Sequence, residues 1–113
     1  MADPQRGEVW LADLDPVRGH EQAGRRPVVV VSDNRLNASL ATLVYAVPLT
    51  MRDRGIPYHV KIEPGEGGVR ETSFAMCEQM RSISRDRLVD RWGSVSGETL
   101  AQIEDRLRVL LCL

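Results

Sequence analysis

The residues able to do chemistry crowd into one stretch, Gly19 to Ser32, which reads Gly-His-Glu-Gln-Ala-Gly-Arg-Arg-Pro-Val-Val-Val-Val-Ser. His20 has the one side-chain type whose ordinary pKa, ~6.5, suits proton transfer at neutral pH. Glu21 and Gln22 add a carboxylate and an amide. Arg25 and Arg26 add planar guanidinium forks that match phosphate or carboxylate oxygens. On an extended chain these two arginines face opposite ways, one into a groove and one to solvent. The chemistry such a set supports is a clamp on a phosphate or carboxylate that stabilises charge developing in a transition state. The plainer alternative is a surface arginine paired with Glu21 or Asp33.

Two further positions add hydrogen-bonding groups at strand ends. Thr50 closes an apolar run and could bind a phosphate or a ribose hydroxyl, although a lone threonine there is more often structural. Glu78 and Gln79 interrupt another apolar run, where polar groups need partners. They either tie the opening loop down or line a groove. The basic loop Met51 to Pro57 carries Arg52 and Arg54 and has the composition of a segment that folds over a site. His59 has no evident partner. The sequence holds no HExxH, no nucleophile elbow, no paired CxxC and no dinucleotide fingerprint.

The elements that must position these groups are mostly short strands. Val28 to Val31 is β-branched and too short for a helix, so it reads as a strand buried on both faces and opened by Pro27. Further strands are expected over Glu8 to Leu14, Ala41 to Thr50, Tyr58 to Glu63, Thr72 to Ile83 (one long or two short) and Leu88 to Val95. Pro48 suggests an edge or a bulge. A helical turn is expected over Asn34 to Leu40 and another after Ser84. Ser96 to Leu111 is the one long helix, with Ser96 as N-cap and Leu100, Ile103, Leu107, Leu110 and Leu111 as a stripe against the core. Strands joined by glycine- and proline-bearing turns, with one terminal helix, predict a mainly β, α+β protein built as a small, partly closed antiparallel barrel. Residues 1–113 read as one domain.

Composition narrows the function classes. The net charge is −1, which speaks against a generalist nucleic-acid binder. Its basic side is fourteen arginines and a single lysine, Lys61, a skew that suits phosphate contacts and that genomic base composition also produces. Aromatic residues are few, so base-stacking platforms are expected to be sparse, with recognition leaning on arginines such as Arg52 and Arg54. No apolar stretch is long enough for a membrane span and no signal peptide is evident, so a cytoplasmic location is expected. Cys77 and Cys112 have no metal-ligand spacing and read as buried filler.

Four segments together resemble the MazF/PemK toxin family: Arg6 to Pro16, Gly19 to Ser32, Val47 to Thr50 and Glu78 to Ile83. They follow in the family's order and spacing, and Gly-x-Glu-Gln-x-Gly-x-Arg-Pro is the most specific of them. The resemblance implies an SH3-like barrel with a C-terminal helix and a homodimer. It also implies a sequence-specific endoribonuclease that cuts single-stranded RNA without metal or other cofactor and is neutralised by a cognate antitoxin. On the family's pattern the catalytic arginine is Arg26 and the catalytic threonine is Thr50. Position 20 is more usually serine, so His20 is a departure, expected to serve in proton transfer or substrate contact. Glu21, Gln22, Arg25, Arg52, Arg54, Glu78 and Gln79 are the expected RNA contacts. The alternatives are a CcdB-like, gyrase-poisoning toxin and a non-catalytic binding module on the same barrel.

Overall fold

The computed structural model describes residues 2–14 and 24–113. Among the described residues seven strands run in chain order: β1 (Glu8–Asp13), β2 (Arg25–Val30), β3 (Leu43–Thr50), β4 (His59–Ile62), β5 (Ser73–Met76), β6 (Arg81–Ser84) and β7 (Leu88–Ser94). A one-turn helix, α1 (Asn34–Asn37), follows β2, and α2 (Gly97–Leu111) ends the chain. All the pairings are antiparallel, in the order β4-β5-β3-β2-β1-β7, with β6 beside the first half of β3. The sheet does not close: among the described residues β4 and β7 do not pair.

The central strands are buried on both faces, as the valine run requires. Val29 and Val31 join Val9, Val47 and Leu49 in one core layer, which Ile103 of α2 completes. Val28 and Val30 join Trp10, Ala12, Val44 and Ile83 in the other. Alternate side chains of one strand thus serve opposite cores. Trp10 settles its one donor inside, giving Nε1–H to Glu8 Oε1 at 3.1 Å.

Several boundaries differ from the sequence expectation for definable reasons. β2 begins at Arg25, before Pro27, because β2 has no β3 partner ahead of Val28 and a residue without N–H fits there. Pro48 lies inside β3, where that strand changes partner from β6 (through Ala46) to β5 (from Leu49). Thr72 to Ile83 is two strands, broken by a 3₁₀ turn at Cys77–Gln79. The expected turn after Ser84 is a 3₁₀ turn at Arg85–Arg87.

Helix α2 starts where expected, with the Ser96 hydroxyl accepting from Thr99 N–H at 3.1 Å. Its apolar stripe is only partly core. Ile103 is fully buried, Leu107 and Leu110 pack at the margin, and Leu111 is 52% exposed. The helix packs against β4 and the Cys77–Gln79 turn, so its last turn overhangs the sheet. Cys77 is buried, and burial pushes its thiol up to about 12. Cys112 is exposed, contrary to expectation, because it is the left-handed C-cap residue beyond the last turn. Among the described residues no helix is long and apolar enough to cross a membrane.

Candidate functional site

The pairing of strands β2 and β3 ends at Val28↔Pro48. The register Val30↔Ala46, Val29↔Val47, Val28↔Pro48, carried two residues further, brings Arg26 level with Thr50. Both side chains then line one groove of about 670 Å³. Its floor includes Pro27 and Leu49, and its far wall comes from the Gly68–Arg70 stretch and from Asp90, Arg91 and Trp92 of β7. The apolar β2–β3 ladder therefore positions a cation and a hydroxyl without either belonging to the core.

The polar groups of the groove are held in different ways. Arg26 is exposed and engages other groups of the protein. Thr50 Oγ1 accepts the Arg52 N–H at 3.2 Å, which orients the hydroxyl at the strand end. Its proton remains to be donated, since a hydroxyl both accepts and donates. Arg91 is held by Glu8, Nε to Oε2 at 2.5 Å. Burial alone would disfavour charge on Glu8. Hydrogen bonds from Gln5 N–H, Arg91 and Trp10 outweigh that, and its carboxyl sits below the ordinary range. Arg26, Arg70 and Arg91 face Glu71 and Asp90 in this groove, a mixed lining with an excess of cations.

Other expected site residues lie elsewhere. Arg25, next to Arg26 on the strand, is exposed and does not line the groove, as alternation demands. Arg52 and Arg54 are exposed on the segment after β3, outside the groove lining. Glu78 and Gln79 sit on the 3₁₀ turn beside α2. There Glu78 Oε2 meets His59 Nε2 at 2.9 Å, so His59 has a partner after all, from a segment distant in sequence. Gln79 packs its amide against Met76 Sδ at 3.6 Å. His20, Glu21 and Gln22 lie outside the described residues.

Reading the chain one residue at a time missed Arg70, Asp90, Arg91 and Trp92 as groove residues. Their one sequence signal was the Gly67-Gly68 pair, which marks a close backbone approach. Arg70 follows that approach, and Trp92 lies against it.

Residues 5–111 match the model of the PemK-like, MazF-like toxins of type II toxin–antitoxin systems. The chain is 39% identical to the endoribonuclease MazF9 of Mycobacterium tuberculosis, over 96% of this chain and 97% of that protein. Its fold superposes on the crystal structure of MazF from Deinococcus radiodurans with a TM-score of 0.89, at 28% identity and over 100% of both chains. It superposes on MazF in a MazE–MazF crystal structure from the same organism with a TM-score of 0.83, at 29% identity, over 100% of this chain and 99% of the other.

Proposed function

The chain belongs to the family of PemK-like, MazF-like toxins of type II toxin–antitoxin systems, and on that premise we propose that it is an endoribonuclease cutting single-stranded RNA at a short sequence. The reaction is attack of a ribose 2′-OH on the adjacent phosphorus, leaving a 2′,3′-cyclic phosphate and a 5′-OH. RNA carries its own nucleophile, so the protein supplies no attacking serine or cysteine. What the protein must do is hold the hydroxyl in line with the phosphorus, stabilise the extra charge of the phosphorane and assist two proton movements. No step requires a metal or other cofactor.

The single observation that carries this reading is that Arg26 and Thr50 line one groove, just beyond the point where β2–β3 pairing ends. A guanidinium offers five N–H donors and no acceptor, so Arg26 is the charge-stabilising group and not a base. Thr50 donates its hydroxyl proton to a phosphate or ribose oxygen. His20, which enters by sequence position, serves in proton transfer or substrate contact. Glu21, Gln22, Arg25, Arg52, Arg54, Glu78 and Gln79 are the proposed RNA contacts around this centre.

MazF of Deinococcus radiodurans is known with MazE bound. By the same likeness this chain is neutralised by a cognate antitoxin, which competes for the groove. It acts as a cytoplasmic homodimer, each copy a single domain.

Digestion of a defined single-stranded RNA in excess EDTA, with product ends identified by mass, tests the chemistry. Sequence-dependent cuts bearing cyclic phosphate, abolished by a 2′-deoxy substitution at the cut nucleotide, are expected. Ends bearing 5′-phosphate would overturn the mechanism. Intact RNA across unrelated sequences would overturn the activity and leave a binding toxin of the CcdB type as the next reading.

A further inference from the structure

We propose that Trp92 is the stacking platform for one nucleobase of the substrate and helps decide which sequences are cut; the inference rests on the endoribonuclease reading above. The two tryptophans have opposite environments. Trp10 is 4% exposed with its N–H satisfied by Glu8, whereas Trp92 is 37% exposed and lines the groove with Arg26 and Thr50. Among the described residues the Trp92 indole N–H has no hydrogen-bond partner. Trp92 belongs to neither core cluster of the described residues.

Its backbone, by contrast, is fixed from two sides. The β1–β7 register passes from Val9↔Gly93 to Trp10↔Arg91, which leaves Trp92 as the extra residue of a bulge. A bulge re-aims a side chain and is a common device beside functional sites. From outside, Gly68 presses on the bulge so closely that a Cβ there would lie 2.4 Å from the Trp92 carbonyl oxygen. A fixed backbone holding an exposed indole in the same groove as a cation and a hydroxyl is an arrangement that receives a base near its phosphate. Stacking accepts any base and ranks them by stacking strength, so the platform contributes preference at one position without a hydrogen-bond code.

The test uses an oligonucleotide spanning a cut site mapped with the wild type, with 2′-deoxyribose at the cut nucleotide so that it binds and persists. Binding is expected to quench the iodide-accessible part of the tryptophan emission, which is Trp92, and Trp92→Phe removes that signal while keeping most affinity. Trp92→Ala is expected to weaken binding about 5- to 150-fold and to relax preference at one position of the cut site. Trp92→Phe should keep the wild-type urea midpoint, and Trp92→Ala should lower it less than a core truncation does, because the ring is partly covered but belongs to neither core cluster. Affinity within twofold of wild type and an unchanged cut map for Trp92→Ala, with RNA still cleaved, would overturn this inference and leave the nuclease reading standing. A changed sedimentation coefficient with unaltered RNA affinity would make Trp92 an assembly contact and also overturn it. A wild type that cuts no RNA would overturn the nuclease reading itself, and this inference with it.

Discussion

Gly68→Ala isolates the contact that builds the far wall of the groove. Gly68 has φ +76, a left-handed conformation, and a Cβ there would meet Trp92 O at 2.4 Å and Trp92 C at 2.8 Å. Left-handed backbone costs an L-residue about 1–2 kcal/mol. The clash sets a Cβ, whose place the backbone fixes, against backbone atoms of Trp92, so no side-chain rotation relieves it and the turn must part from β7, at about 1–3 kcal/mol more. The expected loss is therefore about 2–5 kcal/mol in total. Gly55→Ala is the matched control, with φ +65 and, among the described residues, no atom within 4 Å of the added Cβ. Only the conformational part, about 1–2 kcal/mol, applies there. Urea unfolding of the two variants beside wild type gives both losses, and the iodide-accessible part of the tryptophan emission, which is Trp92, reports whether the wall has moved. Equal losses for the two variants, with unchanged emission, would refute the close packing of this turn on the bulge.

Helix α2 provides a second pair of variants: Ile103→Ala should cost about 2–5 kcal/mol as a buried truncation, and Leu111→Ala less than about 0.5 kcal/mol, both read from urea midpoints. Asp33 caps α1 by accepting Arg35 N–H at 2.7 Å, and the Arg35 guanidinium holds its carboxyl down at about 2. Because the folded pKa lies below the ordinary 3.8, this contribution is complete above about pH 4 and is lost as pH falls through 2. Asp33→Ala should accordingly lower the urea midpoint at pH 7, with the gap to wild type closing between pH 4 and pH 2.

Much of the fold was legible because its strongest signals are local. Four consecutive valines, β-branched and too few for a helix, read as a strand with both faces buried, and Ser96 before an apolar period of 3.6 reads as a helix start. Arg26 and Thr50 were legible as chemical groups. Their meeting was legible only through the family resemblance, since it depends on the β2–β3 register and on where that pairing ends, and both are long-range properties. The pairing of His59 was not legible, since its Glu78 partner comes from a different element. Pro48 read as an edge or a bulge because a missing N–H implies an unpaired side, and a strand that changes partners midway provides one without being an edge. Trp92 read as one more strand residue because a bulge leaves no mark in the alternation of a single strand.

The most direct test of the central claim is the single-turnover rate of RNA cleavage by Arg26→Ala against wild type, at saturating protein, with Arg26→Lys alongside. A preordered donor to the developing phosphorane charge is worth about 2.7–4 kcal/mol, so the alanine variant should cut ~10²–10³-fold more slowly at the same sites, with lysine restoring only part. A rate within threefold of wild type, from a variant with unchanged urea midpoint, would contradict the placement of catalysis between Arg26 and Thr50.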